Sequence, residues 1–242
     1  MNFSWNRDRA LVPVVLAIGI AAVSLGVLYP SPTQDTICRY AMMAEKFAAG
    51  DWFEAFHPRF CVLFPALTGC VVRLFGTDGL TACVAVAMLG WALALVPLFR
   101  LARNVFGSGV AWFAVVLAAI CPKTLFWGFQ GLRETWRLLA MLLVVSALFE
   151  PREGDRGANA SFVQMMLGTF ILLTLRVDTF LFAVLAVAAY AVYDVVRWRF
   201  AVLAAWALAW AQPCCYLTWT WTGWWLPSPQ MIAVVVKYLG LR

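Results

Sequence analysis

From Leu11 to Tyr29 the chain runs nineteen residues without a charged side chain, and apolar runs of this kind recur along it. Nineteen residues make a helix about 28 Å long at ~1.5 Å per residue, close to the ~30 Å hydrocarbon core of a bilayer. A soluble helix needs apolar residues on one face only; here they cover every face. Hydrophobic residues make up 64% of the chain and charged ones 12%, against about 45–50% and about 25% in soluble domains. Lipid, not water, is the solvent this composition fits. The expected fold is all-α, a polytopic membrane protein forming one membrane domain over residues 1–242, with the bilayer as its first partner. The composition excludes a disordered tail, and 7 Cys in 242 residues is no disulfide scaffold. The net charge of +6 comes from scattered pairs rather than a basic run interleaved with aromatics, so no nucleic-acid partner is expected.

Arginine pairs at Arg7/Arg9, Arg100/Arg103, Arg152/Arg156 and Arg197/Arg199 sort the topology. Short arginine-rich loops stay on the cytoplasmic side, so an even number of crossings separates each pair from the next. The result is about seven transmembrane helices, near 11–29, 80–99, 105–121, 135–149, 160–175, 179–196 and 200–216. The N-terminus is cytoplasmic, in an inner (plasma) membrane, and residues 217–242 form an external tail rich in tryptophan. A cleaved signal sequence is the rival for the first run, but its apolar region spans about 7–15 residues and this one is longer.

The first external loop, residues 30–79, carries two interfacial helices. Ile37, Tyr40, Ala41, Ala44, Phe47 and Ala48 repeat at helical spacing, which predicts an amphipathic helix over 35–50 stopped by Gly50. Arg59 and Arg73 bracket only 13 residues, about 20 Å of helix, too short to cross. With Pro65 inside, that stretch is read as lying in the outer interface or re-entering from it.

Chemistry is sought among the few ionisable groups on the outer side: Asp35, Arg133 with Glu134, and Arg176 with Asp178. Charges at membrane depth are costly and face a cavity or each other. Each has a plainer reading. Asp35 is placed to cap the 37–48 helix, Glu134 to pair with Arg137 at i, i+3, and Arg176-Val177-Asp178 to form a solvated hairpin tip. His57, the only histidine, reads as a loop residue, and no clustered Cys/His spacing predicts zinc. Cys38 and Cys61 both fall outside, where pairing is open to them. No nucleotide-binding or serine-hydrolase motif occurs.

Four passages resemble the GT-C integral-membrane glycosyltransferases, in particular the polyprenyl-phosphate-dependent groups related to protein O-mannosyltransferases and aminoarabinose transferases. They are Gln34-Asp35 leading through Arg39-Tyr40-Ala41 to Ala49-Gly50-Asp51-Trp52 and Phe64-Pro65-Ala66-Leu67; Arg100-Leu-Ala-Arg103 with Phe106-Gly107 and Pro122; Gly131-Leu132-Arg133-Glu134; and Leu175-Arg176-Val177-Asp178. Family members often carry a second acid after the first, where this chain has Thr36, and they run beyond seven spans, so the resemblance is to a short or truncated member. It implies transfer of a sugar from a polyprenyl-phosphate donor to a glycan, lipid or protein acceptor on the outer face. It further implies Asp35 as catalytic base and Glu134 as the second acid. Arg133, Arg137, Arg176, Asp178 and Tyr40 are implied as substrate-binding residues. The resemblance fixes no cofactor and leaves a divalent metal open. Two rivals stand beside this reading. One is a non-catalytic membrane scaffold or subunit with the same architecture. The other is a small transporter, against which count the lack of an internal repeat and of any charge near the midpoint of a predicted span.

Overall fold

The computed structural model describes residues 4–56, 62–150, 154–175, 179–193 and 202–209. Among the described residues every regular element is helical. Helix α1 covers Ser4–Leu28, so the first run extends back through Arg7, Asp8 and Arg9. A π-helical segment, Thr36–Ala41, leads into α2, Met42–Ala49, and a short α3, Trp52–Ala55. Then come α4 (Leu63–Phe75), α5 (Gly79–Phe106), α6 (Ser108–Ile120) and α7 (Pro122–Phe129). Helices α8 (Glu134–Leu148), α9 (Gly154–Leu175) and α10 (Phe180–Tyr193) are next, with a last helical stretch, α11, over 202–209.

Helix α5 is the axis of the bundle. In its most apolar stretch 72% of the residues are buried, against 22% in α1, so α1 is the peripheral helix. A Cβ added to Gly19 would meet Ala92, and one added to Gly26 would meet Val84 and Met88, which sets α1 antiparallel to α5. Trp136 donates its indole N–H to the Val86 carbonyl at 2.8 Å, and Asn104 donates to Glu150 at 3.0 Å, so α8 runs parallel to α5. Helix α9 returns antiparallel to α8: Ser161 bonds the Ala147 carbonyl, Ser146 meets Gln164, and Gly168 faces Val144. Thr179 turns the chain back by donating to the Leu172 carbonyl, and Trp206 ties α11 to the Met166 carbonyl. From α1 through α5, α6–α7, α8, α9 and α10 the long helices thus alternate up and down. Arg100 and Arg103 mark one end of the bundle, and the loop between α1 and α5 covers the other.

Two helices are long and apolar enough to cross a membrane alone, Ala10–Leu28 within α1 and all of α5. The α6–α7 pair makes a third if taken as one span bent by 49°. Helix α8 has 15 residues and the apolar part of α9 only 17 (Asn159–Leu175), about 22 and 26 Å, short of the ~30 Å core. Length and composition therefore do not give seven crossings. The expected boundaries also move. The run placed at 80–99 continues to Phe106, and the one placed at 105–121 ends at Ile120, with a separate helix, α7, opening at Pro122 after a 49° bend. That proline is the first residue of α7, where its missing N–H costs nothing.

Helix α7 packs beside the middle of α5. Thr124 in α7 accepts from Trp91 Nε1 at 3.4 Å, and Trp91 lies about 18 Å along α5 from Gly79 and about 14 Å from Arg100. Lys123, next to Thr124, therefore sits near the middle height of the bundle.

The start of α5 is capped twice. Asp78 accepts from the Thr81 backbone at 2.9 Å and from its hydroxyl at 2.6 Å, and Glu45 accepts from the Gly79 N–H at 3.2 Å. The Thr81 hydroxyl holds the Asp78 carboxyl below the usual carboxylate range. A lowered folded-state pKa gives a stabilisation that is complete above the unfolded value of about 3.9 and is lost as pH falls through the lower folded one. Asp78→Ala is expected to cost ~1 kcal/mol at neutral pH. The gap in melting temperature from the parent should then close on acidification; a gap independent of pH would contradict the cap.

Candidate functional site

The site forms where the loop after α1 lands on the turn between α7 and α8. Ser31 N–H bonds the Phe129 carbonyl at 3.1 Å. Two residues on, Thr33 begins the helix: its hydroxyl accepts from the Thr36 N–H at 3.2 Å, and its carbonyl accepts from Ile37 N–H at 3.0 Å. Thr33 is thus the cap. Asp35, expected in that role, is already helical and makes no side-chain cap bond. Its carboxylate instead pairs with Arg39 one turn on, at 3.2 Å, with both side chains about half exposed.

The π-helical turn explains a second difference. Inserting one residue into a helix rotates the remainder of that helix by about 100°. The buried residues are Thr36, Tyr40, Ala41, Met43 and Ala44, while Ile37, expected on the buried face, is 52% exposed. Gly50 ends α2 in the left-handed region at φ 95°, as its position predicts.

Thr36 is the anchor that sequence reasoning missed. It is fully buried, and its hydroxyl donates to the Gln130 carbonyl at 2.6 Å. Gly131 comes next at φ 66°, where a Cβ would lie 2.9 Å from Thr36 Cγ2 and 3.3 Å from the Val84 amide nitrogen. A carboxylate at position 36 would face that carbonyl with a buried negative charge, a physical reason for threonine here. Thr36→Val keeps the shape but strands the Gln130 acceptor. It is expected to lower stability by ~1–3 kcal/mol, measured by thermal melts in detergent; an unchanged melting temperature would mean the bond contributes nothing.

Three residues after this contact stand Arg133 and Glu134. Arg133 is only 3% exposed. Its guanidinium lies 5.7 Å from the centre of the Tyr40 ring, donates to the Leu175 carbonyl at 3.4 Å, and approaches the Glu134 carboxylate at 4.0 Å. Tyr40 is held in turn by an edge contact with Phe64, centroids 5.4 Å apart. Phe64 lies in the first turn of α4, whose entry is fixed by a 3.1 Å bond from Val62 N–H to the Thr174 carbonyl. Tyr40, Arg133 and Glu134 are therefore brought together, on the same end of the bundle as Asp35. The Glu134–Arg137 pair is not formed: Arg137 is half-buried and makes no ion pair among the described residues. Arg176, Asp178, His57 and Cys61 lie outside the described residues, and with them the Cys38–Cys61 pairing. Leu175, held by Arg133, is the last described residue before position 176.

The arrangement joins two carboxylates of different setting. Asp35 is open to solvent beside a guanidinium. Glu134 has a side chain 27% exposed and stands against a buried arginine. Among the described residues no three His, Cys, Asp or Glu side chains are grouped to hold a metal ion. The signal that could have pointed to the anchor is the glycine at 131, since the next residues must turn sharply into a helix; nothing local marks Thr36. Set beside known proteins, the chain matches no family model, no curated protein and no solved structure.

Proposed function

We propose that the chain is a membrane glycosyltransferase that takes a sugar from a polyprenyl-phosphate donor, in the manner of the GT-C enzymes its sequence resembles. The observation that carries this reading is the docking of the first-loop helix on the α7–α8 turn through Thr36 and Gln130, with Asp35, Tyr40, Arg133 and Glu134 at that end. In the proposed step an acceptor hydroxyl attacks the anomeric carbon while the bond from that carbon to the phosphate oxygen breaks. Asp35 takes the hydroxyl proton, and polyprenyl phosphate leaves. Arg137, one turn into α8 and without an ion pair among the described residues, faces the charge on the leaving group, a task suited to a planar guanidinium. Arg176 and Asp178 complete the substrate contacts in this scheme. Arg133 supports the site from behind, since its guanidinium is already engaged with Tyr40 and the Leu175 carbonyl.

The same proposal places the site end outside an inner membrane, the N-terminus inside, and counts the up-and-down helices as seven crossings. The alternation of α1, α5, α6–α7, α8, α9 and α10 supports the first six of those crossings. The burial of Arg133 also favours a second reading, a scaffold whose charged residues are struts. Purified protein in lipid nanodiscs, given a panel of labelled polyprenyl-phosphate sugars with glycan, lipid and peptide acceptors, separates the two. Transfer to any acceptor supports the enzyme, and none across the panel supports the scaffold.

A further inference from the structure

The carbonyl end of α9 is where three separate parts of the chain come to rest. A helix leaves its last four carbonyls without partners inside itself, and in α9 these belong to residues 172–175. Thr179 donates its hydroxyl to the Leu172 carbonyl. Val62, at the entry to α4, donates its N–H to the Thr174 carbonyl at 3.1 Å. Arg133, at the entry to α8, donates from its guanidinium to the Leu175 carbonyl at 3.4 Å.

Arg133 reaches further. Its guanidinium lies 5.7 Å from the centre of the Tyr40 ring, and its Nε stands 4.0 Å from Glu134 Oε1. Tyr40 belongs to the first-loop helix, which Thr36 fastens to the Gln130 carbonyl just ahead of α8. One side chain, 3% exposed, thus touches the first-loop helix, the start of α8 and the end of α9.

Charge explains an arginine in this place. The carbonyl end of a helix carries about half a negative charge, which favours a cation there, and the face of the Tyr40 ring adds a second attraction. A guanidinium is a planar fork that serves both partners at once, whereas an ammonium is a point charge. Burial removes water as a substitute partner, so the cation depends on the protein groups around it. Moving one of those groups therefore disturbs the others. Glu134 is the member of the group that opens outward, its side chain 27% exposed.

We propose that Arg133 is a positioning residue: seated on the carbonyl end of α9, it locks the first-loop helix to the start of α8 and so sets where the Glu134 carboxylate stands. The family resemblance puts Arg133 on the substrate itself; its burial and its three protein contacts give it this other task. Resting on the transfer reading, Arg133 touches neither donor nor acceptor and acts on the reaction through Glu134.

The test follows amide hydrogen exchange by mass spectrometry on the full chain in lipid nanodiscs, beside steady-state sugar transfer. Arg133→Lys keeps a charge at the α9 end and gives up the fork. Exchange is expected to quicken about ten-fold at both residues 40–44 and residues 172–175, as loss of one hydrogen bond's worth of local stability does. Residues 161–168, in the α8–α9 seam, should exchange as before. The kcat is expected to fall about 10–100-fold, as a small misplacement of a reacting group does. KM for the polyprenyl-phosphate donor should stay within about three-fold, since a group off the substrate leaves ground-state binding alone. Unchanged exchange at either segment overturns the proposal, whatever the transfer rate. So does a KM raised about ten-fold with kcat kept, the mark of a substrate contact, and so does full kcat with both segments loosened. If Arg133→Lys melts early and residues 161–168 exchange faster as well, Tyr40→Leu takes its place. That variant takes the ring from the lock, and exchange at residues 172–175, reached through Arg133, should quicken; no change there overturns the proposal. A wild type that transfers no sugar, while Arg133→Lys loosens the two segments together, removes the transfer reading and leaves the lock standing.

Discussion

Asp35→Asn is expected to lower sugar transfer by about 10²–10⁴-fold, the usual contribution of a positioned general base, while leaving the protein folded. The two halves of that expectation come from different observations. Asparagine is nearly the same size and shape as aspartate but does not take up a proton from the attacking hydroxyl. The carboxylate makes no cap bond, and its ion pair with Arg39 is about half exposed, a setting in which such pairs contribute ~0–1 kcal/mol. The melting temperature should therefore hardly move. Glu134→Gln is the less clean comparison, because Glu134 stands beside Arg133, which is 3% exposed, and removing a charge next to a buried guanidinium is destabilising in itself. Transfer rate and melting temperature measured together sort the outcomes. Full transfer by Asp35→Asn would remove it as the base. Lost transfer with a large drop in melting temperature would make it a strut.

Gly131→Val is expected to produce the largest loss of stability, ~2–5 kcal/mol. At φ 66° a β-branched residue is held in the left-handed region, at a cost of ~1–2 kcal/mol. The same Cβ would press on Thr36 Cγ2 at 2.9 Å and on the Val84 backbone at 3.3 Å. The second is backbone of the central helix and cannot swing aside, so overpacking adds ~1–3 kcal/mol. Against a total of about 5–15 kcal/mol for a typical domain, much of the margin would go. The damage should be local first. The contact that gives way joins the first-loop helix to the α7–α8 turn, so protease cleavage in residues 30–56 should accelerate before the bundle melts. Gly109→Ala is the matched control, since its Cβ would meet nothing within 4 Å and its backbone carries no positive φ. A Gly131→Val protein that melts with the control would show that the turn is not what holds the loop.

The amphipathic helix after Asp35 shows how far periodicity reaches. The sequence is sufficient to predict a helix there, to stop it at Gly50, and to place Tyr40, Ala41 and Ala44 on the buried side. It fails at Ile37 because the π-helical turn at Thr36–Ala41 adds a residue to the winding, and no composition rule marks such a turn. The Thr33 cap was missed for the same reason. Two threonines and an aspartate lie within four residues, and local chemistry allows any of them to open the helix. The choice came from Thr36 being drawn onto the Gln130 carbonyl, a contact between residues 94 positions apart in the chain.

Arg133 and Glu134 stand out in the sequence because charged residues are rare in this chain, and rarity makes position informative; Tyr40 enters only through the family resemblance. That suspicion named the residues without their relation. The i, i+3 spacing favoured Glu134 with Arg137, yet burial of the Arg133 guanidinium between the Tyr40 ring and the Leu175 carbonyl draws Arg133 to Glu134. A helix presents i, i+3 pairs to solvent, whereas tertiary packing brings the residue at the helix start inward.

Sequence alone determined the solvent and the class. Apolar residues on every face of a helix leave lipid as the medium, and backbone groups in lipid must bond within helices. The arginine pairs predict where the chain leaves the apolar layer, and Arg100 and Arg103 do lie in the last turns of α5. Only the tertiary structure decided where those runs stop. Pro122 looks like an end in sequence and is a bend in space, since a proline in the first turn of a helix loses no bond. That bend makes Lys123 the second residue of a further helix, α7, and not part of a loop.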